Sequence, residues 1–578
     1  MKKVFILPAA MLLFQTAFAQ TFTRINTGTI ATDANNSFNA AWSDINNDKY
    51  LDMFVCNVNG QNDCLYQNNG NGTFTKITNG PLVNEAGFNE CGTWADYDND
   101  GDMDVFVTTV GANNVLYQNN GGTFASVGSA PFTTDVASSV GAAWGDYDND
   151  GYVDLFVSNY GQNNFLYRNN GNGTFTKITT GQIVNDGGNS VGCSWGDYDN
   201  DGDLDLFVAN YSGQNDFLYR NDGGGNFTKI TSGPVVSDGV STHGGSWGDY
   251  DNDGDLDLFT TNGETSNPIN NNLYRNDGGG SFTKIVSGSI VSSGGTSTGS
   301  TWGDFDNDGD IDLFVSNTSA QGSGQNNFYY LNNGNGTFTA VTAVNLVTDG
   351  GDSRGAASGD YDNDGDLDLF VSNELGQTNF LYQNNGNSNS WINMKLIGTL
   401  SNKTAIGARV RAKATIGGVP TWQYQQVSSQ TGYCAQNSVF VEFGFGNATL
   451  IDSIEIKWPS GQVCILTNVS VNQFVDIIEN CTMVSVAELT GGSLITLSSV
   501  YPNPFSSELN IHYSLSEPAL VTFTVVDMLG NELCLLSEHQ DKGEHLKRMA
   551  TLVLAPGVYV YTIRAGNTVQ RGRLVHID

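Results

Sequence analysis

The stretch Asp197-Tyr198-Asp199-Asn200-Asp201-Gly202-Asp203-Leu204-Asp205-Leu206-Phe207-Val208 decides how the whole chain is read. Acidic side chains stand at loop positions 1, 3, 5, 7 and 9, Gly202 at position 6 allows a sharp turn, and the apolar run that follows suits a short buried strand. The nonapeptide occurs seven times, with its first Asp at 44, 96, 146, 197, 249, 304 and 360. Each of these stands 23 residues after the start of an x-Phe pair: Thr21-Phe22, Thr73-Phe74, Thr123-Phe124, Thr174-Phe175, Asn226-Phe227, Ser281-Phe282 and Thr337-Phe338. That offset never changes, whereas the return from the Asp to the next pair runs 29, 27, 28, 29, 32 and 33 residues. The variation falls between the strand after the loop and an aromatic segment such as Phe217-Leu218-Tyr219-Arg220-Asn221, and is longest at residues 262–272 and 316–327.

One small sheet cannot bury both of its faces until neighbours stack on it, so repeats of about 50 residues holding several short strands predict propeller blades. Seven units predict seven blades. The orphan strand at Thr21-Phe22 and the unfollowed segment at Leu381-Tyr382 suggest that the ring closes by pairing its two ends, which removes exposed edges. A Trp stands two residues before six of the seven aspartates (Trp42, Trp94, Trp144, Trp195, Trp247, Trp302), with Ser358 in the seventh unit. Their fixed place beside the acidic loop, rather than in the variable one, favours packing between blades over sugar stacking.

Charge separates the chain into regions. Residues 21–390 hold 46 acids and 10 bases, net −36, while the remainder holds 14 of each. Such a surface repels nucleic acid and anionic membranes. Thirty-two of the 46 acids fall at the odd loop positions, a clustering that would be strongly repulsive without a cation. Hard oxygen ligands with no His or Cys, Gly at the turn and a further acid closing the cage at position 9 select Ca2+, up to seven ions, one per repeat.

The candidate ligand positions in the first loop are Asp44, Asn46, Asp48, Tyr50 and Asp52, and in the second Asp96, Asp98, Asp100, Asp102 and Asp104. The third and fourth give Asp146, Asp148, Asp150, Tyr152 and Asp154, then Asp197, Asp199, Asp201, Asp203 and Asp205. The fifth gives Asp249, Asp251, Asp253, Asp255 and Asp257; the sixth, Asp304, Asp306, Asp308, Asp310 and Asp312; the seventh, Asp360, Asp362, Asp364, Asp366 and Asp368. Position 7 offers its backbone carbonyl, so Tyr50 and Tyr152 qualify. The repeated Asn at position 4 is read as part of the metal signature. The first loop, with Asn46 at position 3 and Lys49 in place of Gly, is expected to bind most weakly.

These D-x-D-x-D-G-x-x-D-L-F units resemble the FG-GAP and VCBS-type repeats of integrin α-subunit propellers and of many bacterial secreted proteins. The resemblance implies calcium in the hairpin loops and, in many members, adhesion or glycan recognition. Beyond residue 390 the acidity stops. Ile406-Gly407-Ala408-Arg409-Val410, Gln426-Val427-Ser428-Ser429, Phe443-Gly444-Phe445-Gly446 and Ile456-Lys457-Trp458-Pro459-Ser460-Gly461 resemble the UnbV/ASPIC domain of cartilage acidic protein and its bacterial relatives, with Phe445 where Leu is usual. Tyr501-Pro502-Asn503-Pro504-Phe505, Asp527-Met528-Leu529-Gly530, Pro556-Gly557-Val558-Tyr559 and Arg571-Gly572-Arg573-Leu574 resemble the type A C-terminal sorting domain of the type IX secretion system. That likeness implies export across the outer membrane of a Gram-negative cell and engagement of the secretion machinery through residues 500–578.

The N-terminus, with Lys2, Lys3, an apolar run at residues 4–13 and Ala17-Phe18-Ala19, has the parts of a secretory signal cleaved after Ala19, and nothing later is long and apolar enough to cross a membrane as a helix. The expected plan is therefore all-β: a signal at 1–19, a seven-bladed calcium-binding β-propeller at 20–390, a small UnbV/ASPIC-like β domain at 391–480, a linker at 481–499 and a β-sandwich-like sorting domain at 500–578. Eight irregularly spaced cysteines allow Cys56 to pair with Cys64 and Cys434 with Cys464, or to remain buried thiols.

No nucleophile and base stand together. His243, the one imidazole in residues 21–390, is expected in a solvated loop. The expected function is a secreted or surface-attached, non-catalytic module that binds glycan or extracellular protein through its variable loops, with Tyr160 and Tyr211 as the best stacking candidates. The alternatives are a calcium-dependent polysaccharide-degrading enzyme of lyase type and a structural scaffold.

Overall fold

A computed structural model describes residues 21–264, 268–319, 324–486, 495–501, 505–506, 508–515, 518–526, 532–550, 557–565 and 568–576. The leader at 1–19, parts of the loops 262–272 and 316–327, Pro502-Asn503-Pro504, Asp527-Met528-Leu529-Gly530 and Pro556 lie outside them. Two compact units divide the chain: residues 1–472 with 477–483, and 473–476 with 484–578.

In the first unit each repeat makes a four-stranded antiparallel sheet. The fourth repeat shows the plan: Gly188–Gly196 pairs with Asp205–Asn210, then Phe217–Asn221, then Phe227–Ile230. Gly196 stands opposite Asp205, so the acidic nonapeptide is the turn of the first hairpin. The x-Phe strand that opens each repeat in sequence is the fourth strand of the preceding sheet: Phe74–Ile77 pairs with Cys64–Asn68. The seventh sheet, Ser353–Gly359, Asp368–Asn373 and Phe380–Asn384, gets its fourth strand from Phe22–Ile25, with Phe22 opposite Asn384.

Neighbouring sheets share cores. Leu206, Phe207 and Val208 are fully buried, and Trp195 and Tyr219 pack with Ala143 and Phe156 of the preceding repeat. The indole N–H groups of Trp144, Trp195, Trp247 and Trp302 donate to Thr93, Ala143, Ser194 and Ser246 carbonyls one repeat back, and Trp42 donates to Ala357 of the last repeat at 3.1 Å. The tryptophans fill the seams between sheets.

A second link is more uniform still. The Asn ending each third strand is buried, and its amide donates to the position 2 carbonyl of a neighbouring acidic loop. Asn119, Asn169, Asn221, Asn276, Asn332 and Asn384 reach Ile45, Tyr97, Tyr147, Tyr198, Tyr250 and Phe305, and Asn68 reaches Tyr361, at 2.7–2.8 Å. The series therefore passes from the last repeat to the first without a break. An amide with two donors is needed because the same nitrogen also serves the position 8 carbonyl of its own loop, Leu204 in the fourth repeat.

Residues 391–480 form sheets from Val419–Gln426, Arg409–Ile416, Leu450–Lys457 and Val463–Ser470, and from Trp391–Ile397 with Val441–Gly444. Between them, a segment of small and polar residues runs along the first strands of the repeats. Ala435–Gln436 pairs in parallel with Ala40–Ala41, Ser429 exchanges two bonds with the Trp144 backbone, Gln436 two with Trp94, and Ser438 N–H donates to Ser358. A Cβ at Gly355 would lie 2.6 Å from the Cys434 carbonyl oxygen, so the close approach requires glycine.

The cysteines depart from expectation. Val55 stands opposite Cys64, which puts Cys56, one residue on, on the other face of that sheet; the two thiols pack in separate cores and stay free. Cys434 is buried among the first strands, and Cys464 instead bonds Cys481, 17 residues on. The expected linker at 481–499 thus begins at a disulfide and contains the strand Thr482–Val486.

In the second unit, Ile495–Tyr501, Glu508–Leu515 and Gly543–Ala550 form one sheet. Glu532–Gln540, Ala519–Val526, Gly557–Ala565 and Thr568–His576 form another. Leu509, Ile511, Tyr513, Val521, Phe523 and Ile563 make their common core. No helix among the described residues is long and apolar enough to cross a membrane.

Two outcomes are expected. Asn221→Ala leaves the Tyr147 and Leu204 carbonyls buried without a donor, and denaturant titration should show a loss of about 2–4 kcal/mol. Asp216, whose oxygens accept from Asn210 N–H (2.8 Å) and the Thr242 hydroxyl (2.9 Å), is raised by burial to about 8. Its folded state holds a proton the unfolded state releases near 4, so stability present in acid is lost as pH rises from about 4 to 8. The equivalent Asn164 meets the same two positions with no charge, its oxygen accepting the Asn159 N–H and its amide donating to the Ser190 hydroxyl. Asp216→Asn should accordingly raise the melting temperature at pH 9 and leave it nearly unchanged at pH 4.

Candidate metal centres

Each acidic loop is built by its own backbone. In the second, Asp96 accepts the Asp100 and Gly101 N–H groups at 3.0 and 2.7 Å, and Asp100 accepts that of Asp102 at 2.9 Å. Asp104 holds the Asn119 and Tyr97 amides at 2.7 and 3.2 Å. The turn draws the carboxylates of positions 1, 3 and 9 together: in Asp96, Asp98 and Asp104, ligand oxygens lie within 4.8 Å of one another, as they do in Asp146, Asp148 and Asp154, in Asp197, Asp199 and Asp205, and in Asp249, Asp251 and Asp257. In the sixth loop the grouped residues are Asp304, Asp306 and Asp308.

Six of the seven loops contain a buried carboxylate oxygen with no hydrogen-bond partner. It is Oδ1 of the position 3 residue in Asp98, Asp148, Asp251, Asp306 and Asp362, and of the position 1 residue in Asp197. The other oxygen of the position 3 group is fixed by a side chain of the third strand, Gln118 on Asp98, Arg168 on Asp148 and Gln383 on Asp362, at 2.6–2.7 Å. Leaving such an oxygen dry and unpaired is costly, and a hard cation relieves it. The residues therefore fit calcium, which positions 1, 3, 5 and 9 would hold with the position 7 carbonyl.

Burial, aided by neighbouring carboxylates, raises Asp104, Asp205 and Asp257 to about 9, Asp249 to about 8 and Asp96 to about 7. Without a cation these groups hold protons at neutral pH, and a divalent ion must displace them.

Position 4 has another task. Asn47, Asn99, Asn149, Asn200, Asn252, Asn307 and Asn363 all have φ between 54 and 66°, a conformation Asn tolerates. Their amides reach into the next loop: Asn47 to Asp102 at 2.8 Å, Asn149 to Asp203 at 2.7 Å, Asn252 to Asp310 at 2.8 Å, Asn307 to Asp366 at 3.0 Å, and Asn200 to Asp255. Where position 7 is Tyr152 or Tyr50, the bond goes to the position 6 carbonyl of Gly151 or Lys49. The position 7 carboxylates thus serve as acceptors between loops.

Residues 391–480 meet these loops directly. Arg409 donates to Asp197 Oδ2 at 2.9 Å and to Asn200, Lys403 N–H to Asn99 at 2.8 Å, and Gly446 N–H to the Asn307 carbonyl at 2.7 Å. A cavity of about 130 Å³ lies where Trp247, Trp302 and Asp249 face Tyr424, Gln430 and Glu442.

His243 lies in the strand Thr242–Gly248 rather than in a loop, between Tyr211 and Tyr433 with ring centroids at 5.0 and 5.7 Å, and burial pulls it down to about 3, so it is neutral. Tyr160 is 40% exposed, its hydroxyl 3.3 Å from Ser212 of the next repeat.

FG-GAP-like repeats match at residues 44–107, 96–157, 146–208, 197–260, 261–315 and 318–371, more than half of the chain. The ASPIC and UnbV family matches residues 398–482, and the secretion system C-terminal sorting domain residues 499–577. Cartilage acidic protein 1 of Xenopus tropicalis is 26% identical over 267 residues, 45% of this chain and 40% of that protein. The Homo sapiens protein is 25% identical over 284 residues, 48% and 41%. The chain thus matches about two fifths of the length of these relatives. A solved structure of BBS1N in complex with ARL6DN aligns with 63% of this chain and 96% of its own at 11% identity and a TM-score of 0.39. The chain belongs to the FG-GAP-like repeat family, joined to an ASPIC and UnbV domain and to a sorting domain that sends it through the type IX secretion system to the cell surface or extracellular space.

Proposed function

We propose that residues 20–390 are a calcium-loaded, seven-bladed β-propeller that acts outside the cell as a rigid, non-catalytic module binding glycan or extracellular protein. The unpartnered buried oxygen that recurs in six acidic loops carries the calcium reading. Seven sheets, tied by the same Asn bond from the last repeat to the first and by the pairing of Phe22–Ile25 with Phe380–Asn384, support a closed ring. The domain plan is a signal at 1–19, the ring, an ASPIC and UnbV-like domain at 391–480 that covers the acidic loops, a short connection at 481–499 and the sorting domain at 500–578.

The side bearing the variable connections is left to a partner. Those connections follow the second strand of each sheet, at the end away from the acidic turn, and Tyr160 with Ser212 spans two of them. The neutral, buried His243 argues against acid and base chemistry in the repeats. Calcium is then a structural element: secreted modules bind it at ~10⁻⁴–10⁻³ M, and tenfold saturation contributes about 1.4 kcal/mol per site.

Excess chelator should lower the melting temperature of the exported protein by roughly 5–10 °C; an unchanged curve would remove the calcium reading. On a glycan array, saturable and calcium-dependent retention that Tyr160→Ala weakens supports the binding module. New reducing or unsaturated ends on a polysaccharide would replace it with an enzyme, and silence in both would leave a scaffold or a protein partner.

A further inference from the structure

The first acidic loop differs from the other six in a way that reaches outside the repeats. Position 3 is Asn46, whose amide turns inward to donate to Asp48 Oδ2 at 2.9 Å while its oxygen accepts the Asp48 N–H at 3.1 Å. Asp48 Oδ1 accepts the Tyr50 N–H at 2.9 Å, and Asp52 holds the Asn68 and Ile45 amides at 2.7 and 3.0 Å. Asp44 accepts the Asp48 and Lys49 N–H groups at 2.9 and 3.1 Å. Every carboxylate oxygen of Asp44, Asp48 and Asp52 thus has a protein donor, whereas each of the other six loops has one that lacks it.

What a metal ion would supply here comes from another part of the chain. Lys395, on the strand Trp391–Ile397, places its ammonium 3.4 Å from Asp44 Oδ2 and 3.3 Å from Asn47 Oδ1, and 5.8 Å from the centre of the Phe440 ring. Asp44 is the position 1 residue and is almost wholly buried. Lys49 stands at position 6 with φ 73°, where Gly occupies every other loop, so this turn also carries backbone strain the others avoid. Arg409 meets the fourth loop at the equivalent Asp197, yet Asp197 Oδ1 remains without a partner, so a cation there is still needed.

We propose that the ammonium of Lys395 takes the place of the calcium ion in the first loop, so that the chain binds six ions rather than seven and residues 391–480 are fastened to the first repeat by a contact independent of calcium. The count of six rests on the calcium reading of the other loops; the ammonium contact does not. Lys395 is then a fixed internal cation at the repeat that meets the seventh, where Trp391 also crowds Gly365.

The test uses the full mature chain. Native mass spectrometry in calcium should find six ions on the natural sequence and seven on the triple variant Asn46→Asp, Lys49→Gly, Lys395→Met; seven ions on the natural sequence would overturn the proposal. A second arm is read in chelator. Lys395→Met should lower the melting temperature by about 2–5 °C, because it leaves Asp44 buried without its cation, and Lys395→Arg should largely keep it. An unchanged Lys395→Met curve would overturn the proposal. If no ion binds anywhere, the calcium reading fails while the melting arm still decides the role of Lys395.

Discussion

Negative charge turned inward at the tip of every first hairpin is the constraint on which the repeats depend. Asp96 and Asp104 and their counterparts organise the turn by accepting backbone N–H groups, and this works only if the carboxylates are drawn into a small dry space. In five of the seven loops position 3 then brings an oxygen with no donor. Desolvation raises the proton affinity of the most buried members, Asp96 and Asp104 among them, so these carboxyls are satisfied by a proton or by a cation. The seams between sheets are fastened beside the turn, by the third-strand Asn on position 2 and by the position 4 Asn on the next loop. Charge compensation within a loop and cohesion between repeats are therefore one mechanical system.

Much of this was legible because it is local. The 23-residue spacing and the acid positions repeat within one unit, and a strand turning at a fixed place must keep its period. What was missed involves partners far away in the chain. Asn200 was read as part of the metal signature, since repetition marks it as strongly as it marks Asp199; its amide meets Asp255, 55 residues on. Asn221 figures in the sequence only as the end of an aromatic strand segment, although it binds the loop of the preceding repeat. Cys56 and Cys64, eight residues apart, invited pairing, but strand alternation turns them to opposite faces. The segment that runs along the first strands has no periodicity. Its trace is glycine five positions before two of the loops, Gly244 and Gly355, where a Cβ would meet the Gly432 and Cys434 backbone, and a search for acids overlooks it.

Residues 391–480 are more than an appended domain. Ser429, Gln436 and Ser438 supply backbone partners to the first strands of three repeats, and Arg409, Lys403 and Gly446 each address a different acidic loop. Six bases and five acids leave residues 391–480 close to neutral, so their fit to a strongly acidic surface comes from placement of single cations rather than from net charge. A nearly neutral segment built this way can lie against the carboxylates while leaving most of their oxygens free of its own charges.

The seventh sheet joins the earliest described strand to the last third strand, with Phe22 beside Asn384. Until those two meet, Phe380–Asn384 presents a row of open amides and carbonyls, the kind of edge on which another chain can grow. The closing step spans more than 350 residues, yet its entropic cost rises only with the logarithm of that length. Pairing strands this far apart in sequence is of the kind that slows folding, and a chain that has not made the joint keeps that edge open to others of its own kind.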